Sequence, residues 1–339
     1  MRLITISHLK QLIRETGLDH FLQQNLASLE AAFGRWHEFR KSPRHATHYP
    51  QGVIELMPCA DEELYSFKYV NGHPKNTAAG RLSVVALGML ANARNGYPLM
   101  LSEMTLLTAI RTASTTALGA KYLARPESRH LALIGTGAQA EFQLLALRQV
   151  LPIEQVSYLD SDPRAMEKFA RNMVGYATLI PCESIDAALS DSDVIITATA
   201  ARRHNRLLKP GMIRPGSHIH AMGGDCPGKT ELDPALLAQC RIVVEYLPQS
   251  LEEGEIQLSK ETPVHAELWE LVNGSKPGRQ DPGELTLFDS VGFALEDFAI
   301  LQLVYQLACD LEIGEEVDLI PSPADPKDLY SVLISPLSP

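Results

Sequence analysis

The run Gly135-Thr136-Gly137-Ala138-Gln139-Ala140 has the spacing G-x-G-x-x-A. Gly135 permits a tight turn, and Gly137 lets backbone N–H groups approach a pyrophosphate. Ala140 allows a helix to pack closely on its strand, with the positive end of the helix dipole facing the ligand. Asp160 stands 20 residues after Ala140. An acid there can hydrogen-bond both ribose hydroxyls of NAD and repel the 2′-phosphate of NADP. Asp162 is close enough to share that role. A further acid, Asp225, follows Gly223-Gly224 after the apolar run His218-Ile219-His220-Ala221-Met222. Glycines before an acid let a ligand come near the backbone, and the carboxyl end of a parallel strand is where ligands bind. Arg44, Lys68 and Arg111 are cations that could hold a carboxylate, and Lys68 lies in an otherwise apolar strand. Each has a plainer alternative. A long cationic side chain can keep its head in solvent, and an aspartate before Pro227 can cap a helix or a turn.

These residues need elements to carry them. Residues 7–40 have the apolar spacing of helices, in Leu9, Leu12, Ile13, Phe21, Leu22, Leu26, Leu29 and Phe33. Residues 51–71 alternate like strands, Asn71-Gly72 gives a turn signal, the stretch from Leu82 to Leu90 is strand-like, and residues 102–124 are helical. From about residue 129 short apolar strands alternate with helices: 131–134, 156–160, 193–197, 218–222 and 242–245 as strands, 138–150 and 163–174 as helices. That alternation predicts a parallel sheet with helices on both faces. The serine- and proline-rich end after Asp325 reads as a surface tail.

A chain of 339 residues exceeds one ordinary core, so two domains are expected. Hydrophobic residues at 45% and charged residues at 21% fit a globular protein. The net charge of −11 opposes binding to phosphate backbones and excludes nucleic acid as an expected partner. Cys59, Cys182, Cys226, Cys240 and Cys309 are scattered without a C-x-x-C pair, which argues against a disulfide framework or structural zinc. His45 and His48 lie close together but lack a third ligand at metal spacing, so no metal is expected. Cys226 beside Asp225 has no evident base partner for a nucleophile's role. With no secretory signal and no apolar stretch of membrane-spanning length, the expectation is a cytoplasmic protein.

The chain resembles the ornithine cyclodeaminase and mu-crystallin family, in its bacterial ornithine cyclodeaminase branch. The resemblance is carried by Gly52-Val53-Ile54-Glu55-Leu56-Met57-Pro58, Phe67-Lys68-Tyr69-Val70-Asn71-Gly72-His73-Pro74, the glycine turn, Val244-Glu245-Tyr246, Glu253-Gly254-Glu255-Ile256 and residues 287–294. The stretch Gly224-Asp225-Cys226-Pro227-Gly228-Lys229-Thr230-Glu231-Leu232 is specific to that branch.

The resemblance implies a Rossmann-type doubly wound α/β domain, residues 116–309, and an α+β substrate-binding and dimerisation domain, residues 1–115 with 310–339. It implies Asp225 as acid/base, with Arg44, Lys68 and Arg111 around the substrate carboxylate. Glu55, Met57 and Val291 line the substrate pocket. Ser83, Arg111, Gly135, Gly137, Ala138, Gln139, Asp160, Thr199, Met222, Lys229 and Ser290 fall at NAD positions, with Ser83 where threonine is expected. The implied reaction turns L-ornithine into L-proline and ammonia, NAD removing and returning a hydride at the α-carbon. The alternatives are a ketimine or pyrroline-carboxylate reductase, a non-enzymatic ligand-binding protein like the crystallin relatives, and a cyclodeaminase of lysine or another diamino acid. A homodimer and a place in proline biosynthesis or ornithine degradation are expected with it.

Overall fold

The computed structural model describes residues 1–200 and 204–334. Alternation with period two builds the first sheet. In strand Gly52–Ala60 the side chains of Val53, Glu55, Met57 and Cys59 turn inward, and in strand Leu64–Gly72 those of Ser66, Lys68 and Val70 do. Met57 lies opposite Lys68 in the antiparallel register, so both point to the same face. The sheet runs Glu315–Glu316, Arg2–Ile4, Pro98–Glu103, Ala86–Asn92, Leu64–Gly72, Gly52–Ala60, Arg40–Lys41, with His45–Tyr49 also on Gly52–Ala60. Only Arg2–Ile4 pairs with its neighbour Pro98–Glu103 in parallel.

The second sheet is parallel throughout. Its order is Thr178–Pro181, Gln155–Leu159, His130–Ile134, Val194–Thr197, His218–Ala221, Leu285–Asp289, Cys240–Val244, Ala266–Glu267. From His130–Ile134 the chain winds first to one side and then, with Val194–Thr197, to the other. This is the doubly wound, Rossmann-type arrangement that the alternating strands predicted, and the reversal opens a crevice at the strands' carboxyl ends. Helix Thr105–Leu123 lies between the sheets and touches strands of both. Helix Ala294–Asp310 leaves the second sheet and packs on strands of the first. One apolar core runs through both, from Leu90 and Met100 to Leu131, Val194 and Phe288.

Several local expectations are revised. The helical stretch at the start is two helices, Ile6–Thr16 and Leu18–Gly34, broken at Gly17, whose φ of 83° no helix accommodates. Asn71-Gly72 ends a strand and makes no hairpin turn; the 3₁₀ segment Pro74–Ala79 follows it. Strand Pro98–Glu103, strand Leu285–Asp289 and helix Ala294–Asp310 were not expected. Within the tail, Leu329–Ile334 is a short helix with no buried residue, and residues 335–339 lie outside the described part.

The close fit of the middle helix is testable. A Cβ on buried Gly119 would run into the Phe288 ring on the second sheet. Overpacking of this kind costs about 1–3 kcal/mol. Gly119→Val is expected to lower the unfolding midpoint clearly in a thermal melt, whereas exposed Glu167→Ala leaves it nearly unchanged.

Candidate active site

The strands of the second sheet end level. Leu159 pairs with Ile134, Ile134 with Thr197, Thr197 with Ala221, Ala221 with Asp289, and Asp289 with Val244. The next one or two residues of each strand therefore share one edge: Asp160, Gly135, Thr199, Met222, Ser290 and Glu245. Register alone brings five of the expected cofactor residues together: Gly135, Asp160, Thr199, Met222 and Ser290.

At the glycine turn Gly135 has φ 105°, and a Cβ there would lie 2.6 Å from the Ala198 carbonyl oxygen, so the turn needs glycine. Gly137 faces open space, and helix Ala140–Leu147 starts just beyond it. The Asp160 carboxylate is already oriented, accepting from the backbone N–H of Thr136 at 2.6 Å and of Asp162 at 3.0 Å. Asp162 itself caps helix Pro163–Met173, which takes it out of the ribose role. Exposed Gly137 and Ala138, the buried Gln139 Oε1 without a partner, and the fixed acid fit a dinucleotide.

The three cations meet, each inside a set of acids. Arg44 donates from Nη1 to Glu55 at 3.1 Å and from Nη2 to the carbonyls of Val291 and Gly292 at 2.6 and 2.7 Å, and its Nε lies 3.2 Å from Glu253. Burial works against its charge, but Glu253, Glu55 and Asp225 raise its pKa above the usual arginine value. Lys68 is buried, 2.8 Å from Asp297. Burial and the nearby Arg111 push its pKa down to about 8, against the pull of Asp297. Arg111 reaches Glu296 and lies 3.0 Å from Asp297. A Cβ on Gly292 would be 2.7 Å from its Nη1, so Arg111 lies flat on that glycine.

Asp225 sits in the loop between strands His218–Ala221 and Thr230–Leu232, and its side chain is 54% exposed. Its carboxylate is 3.0 Å from Lys229, so Lys229, expected at the cofactor, first of all pairs with the acid. No helix follows Asp225; a turn and then a strand do, which removes the helix-cap alternative. Met57 is nearly fully buried, within the main core. Val291 and Ser290 follow strand Leu285–Asp289, where Glu245 holds both: Ser290 Oγ and the N–H groups of Val291 and Gly292 donate to its carboxylate. Ser83 stands in the loop before strand Ala86–Asn92, where its carbonyl accepts from the His73 N–H at 2.8 Å.

Buried acids that sequence reading passed over hold these pieces. Asp289 accepts from the N–H groups of Glu255 and Ile256, and Glu255 accepts from those of Glu231 and Leu232. Glu231 accepts from Thr199 N–H at 2.9 Å. A Cβ on Gly223 would collide with the Glu231 carboxyl, and one on Gly224 would meet Glu255 at 2.8 Å, so the two glycines before Asp225 make room for this chain of acids. Burial raises the pKa of Glu231, Glu255 and Asp289, the last to about 7. For the acids that pair with the cations a signal was present, though not their partners: Glu296-Asp297 interrupts an apolar run from Phe293 to Leu301.

Comparison with known proteins identifies relatives over nearly the whole chain. The chain is 48% identical over 332 residues to an ornithine cyclodeaminase of Agrobacterium tumefaciens (strain Ach5), covering 98% of this chain and 93% of the relative. The fold matches the Thermococcus litoralis Δ1-pyrroline-2-carboxylate reductase in complex with NADH and L-proline, with a TM-score of 0.87 and 33% identity, over 94% of this chain and 100% of that one. It also matches a lysine cyclodeaminase that recognises L-lysine, L-ornithine and L-2,4-diaminobutyric acid, with a TM-score of 0.90 and 29% identity, over 97% and 98% of the two chains. The model of the ornithine cyclodeaminase/mu-crystallin family matches residues 7–311, and the chain belongs to that family.

Proposed function

We propose that the protein is an NAD-dependent ornithine cyclodeaminase, forming L-proline and ammonia from L-ornithine. The observation that carries this reading is the meeting of Arg44, Lys68 and Arg111 with Glu55 and Asp225 at the sheet edge that also bears the glycine turn. The 48% identity to an ornithine cyclodeaminase over 98% of the chain supports it.

In this reading Arg44, Lys68 and Arg111 receive the substrate carboxylate. Glu55, Met57 and Val291 line the pocket. Gly135, Gly137, Ala138 and Gln139 hold the pyrophosphate and Asp160 the adenosine ribose. Ser83, Arg111, Thr199, Met222, Lys229 and Ser290 complete the cofactor's surroundings. Bound NAD supplies a two-electron acceptor that takes hydrogen from the substrate α-carbon and returns it later, so the net reaction is a deamination. Asp225 removes a proton from the δ-ammonium, which frees that nitrogen to attack the α-carbon. The same carboxyl then protonates the α-nitrogen, and ammonia leaves. Acids outnumber cations around the pocket, which suits a substrate bearing two ammonium groups and one carboxylate. A place in proline formation or ornithine degradation follows from the reaction, and the cytoplasm is the proposed location. No helix among the described residues is long and apolar enough to cross a membrane.

The proposed assembly is a homodimer through residues 1–115 with 310–339, the NAD domain being 116–309. The outward face of the first sheet carries Leu56, Tyr65 and Leu87, which are 46%, 39% and 49% exposed, beside Phe67, Tyr69 and Met89. Leu56 and Leu87 both neighbour Tyr69 in register, so the patch is continuous. A contiguous apolar face of this kind marks an association surface.

Three experiments test the proposed reaction, residue roles and assembly. With ornithine in excess, trace NAD⁺ is expected to sustain ammonia and proline formation without accumulating NADH. Stoichiometric NADH consumption on a cyclic imine, without ornithine turnover, would instead make the protein a reductase. Asp225→Asn is expected to lower kcat by about 10²–10⁴-fold with NAD affinity little changed, while Lys68→Met mainly raises KM. Near-normal turnover in Asp225→Asn removes it from the mechanism. Leu87→Asp is expected to halve the mass measured by light scattering, because a charge would be buried in the dimer.

A further inference from the structure

Most of the Arg44 guanidinium is occupied before any substrate arrives. Its guanidinium touches Glu55, Glu253 and two backbone carbonyls, which leaves one N–H of Nη1 without an assigned role. A bidentate grip on a substrate carboxylate needs two adjacent N–H groups, so one partner has to yield. The partners are unequal. The bonds to Glu55, Val291 and Gly292 have hydrogen-bond geometry. The pair with Glu253 is close in charge but misaligned: neither Arg44 Nε nor Glu253 Oε2 has a hydrogen-bond partner among the described residues. Glu253 is also only 6% exposed, so it lies inside the site with no water-facing alternative. A buried charge of that kind is unstable once its counter-charge is taken.

We propose that Glu253 is a place-holding acid: it neutralises Arg44 until the substrate carboxylate displaces it, and then takes up one proton from solvent. The proposal rests on the reading that Arg44 receives the substrate carboxylate. It makes Glu253 a positioning residue, acting through Arg44. The groups that face it are Arg44, Glu55, Asp225 and its neighbour Glu252, so apart from Arg44 every charge around it is negative. Burial, with Glu55 and Asp225, already lifts its pKa to about 7 against the pull of Arg44. When the substrate carboxylate neutralises Arg44, that pull fades and the acid protonates. Substrate binding is therefore coupled to proton uptake, and affinity falls as pH rises through 7.

The test is calorimetric. L-Proline, whose amine stays protonated across this range, is titrated into the NAD-loaded protein at pH 7.5 in two buffers of different ionisation heat. The wild type is expected to take up about half a proton or more, and its Kd for proline to rise about tenfold from pH 6 to pH 8. Glu253→Gln keeps the shape but cannot ionise. It is expected to lose most of the uptake, to flatten the pH dependence of Kd, and to bind proline more tightly than wild type at pH 8. Lys68→Arg, which removes the titrating cation that faces the same substrate carboxylate, is expected to keep the uptake. No proton uptake by wild type, or equal uptake by Glu253→Gln, overturns the proposal. Unchanged proline affinity in Arg44→Gln would show instead that the reading of Arg44 itself is wrong.

Discussion

Backbone N–H groups at the carboxyl edge of a parallel sheet have left the ladder and still need acceptors, and here buried carboxylates supply them. Asp289 and Glu231 accept from segments beyond neighbouring strands, Glu255 accepts from the short strand Thr230–Leu232, and Glu245 accepts from Val291 and Gly292. Placing acids in a core is costly unless each is fully hydrogen-bonded. Asp289, Glu255 and Glu245 have two or more donors apiece, Glu231 is held through one oxygen by Thr199, and in return they fix the segments around the sheet edge. Thr199, the Gly223–Asp225 loop and the Ser290–Gly292 segment are tied into one frame. Loosening one member leaves both an unpaired N–H and an unpaired acid, so the frame is held by its own mutual satisfaction.

The same logic governs the cations. Arg44, Lys68 and Arg111 are buried together, and like charges in a core repel strongly unless acids separate them. Glu55, Asp297 and Glu296 do so, and the last two come from the first turn of the helix Ala294–Asp310. That helix begins right after the Ser290–Gly292 segment, so one stretch of chain both lines the sheet edge and balances the charges on the first sheet. The residue types look excessive in isolation. As a set they leave a pocket of modest net charge that accepts a carboxylate and an ammonium at once.

The sequence carried the glycine turn, Asp160 and the alternating strands clearly, because a tight turn and a packed strand–helix pair restrict residue choice at fixed spacing. Lys68 stood out because a cation in a strand of apolar residues needs a partner. The partner itself, Asp297, was unreadable: it lies 229 residues away and meets Lys68 only through the packing of a helix that was not foreseen. Glu231 and Glu255 escaped for a related reason. An acid whose role is to accept backbone N–H groups has no sequence partner at all, since its donors are main chain. The turn expected at Asn71-Gly72 failed because antiparallel pairing with the preceding strand Gly52–Ala60 carries the ladder through Gly72. Asp225 was legible from the two glycines before it, but its pairing with buried Lys229, four residues on, was not.

The first sheet holds strand Arg2–Ile4 between Pro98–Glu103 and Glu315–Glu316, and Arg2 also donates to the Ile313 carbonyl at 2.8 Å. The N-terminal strand thus waits for a neighbour made 313 residues later. During synthesis on a ribosome the second sheet can form from contiguous chain, but the first lacks its edge strand Glu315–Glu316 and the helix Ala294–Asp310 that packs on it until the second has been made. Contacts of such sequence separation form late. The inner face of the first sheet therefore stays uncovered while the second sheet is being made, and it is this half of the molecule that a chaperone would have to shield.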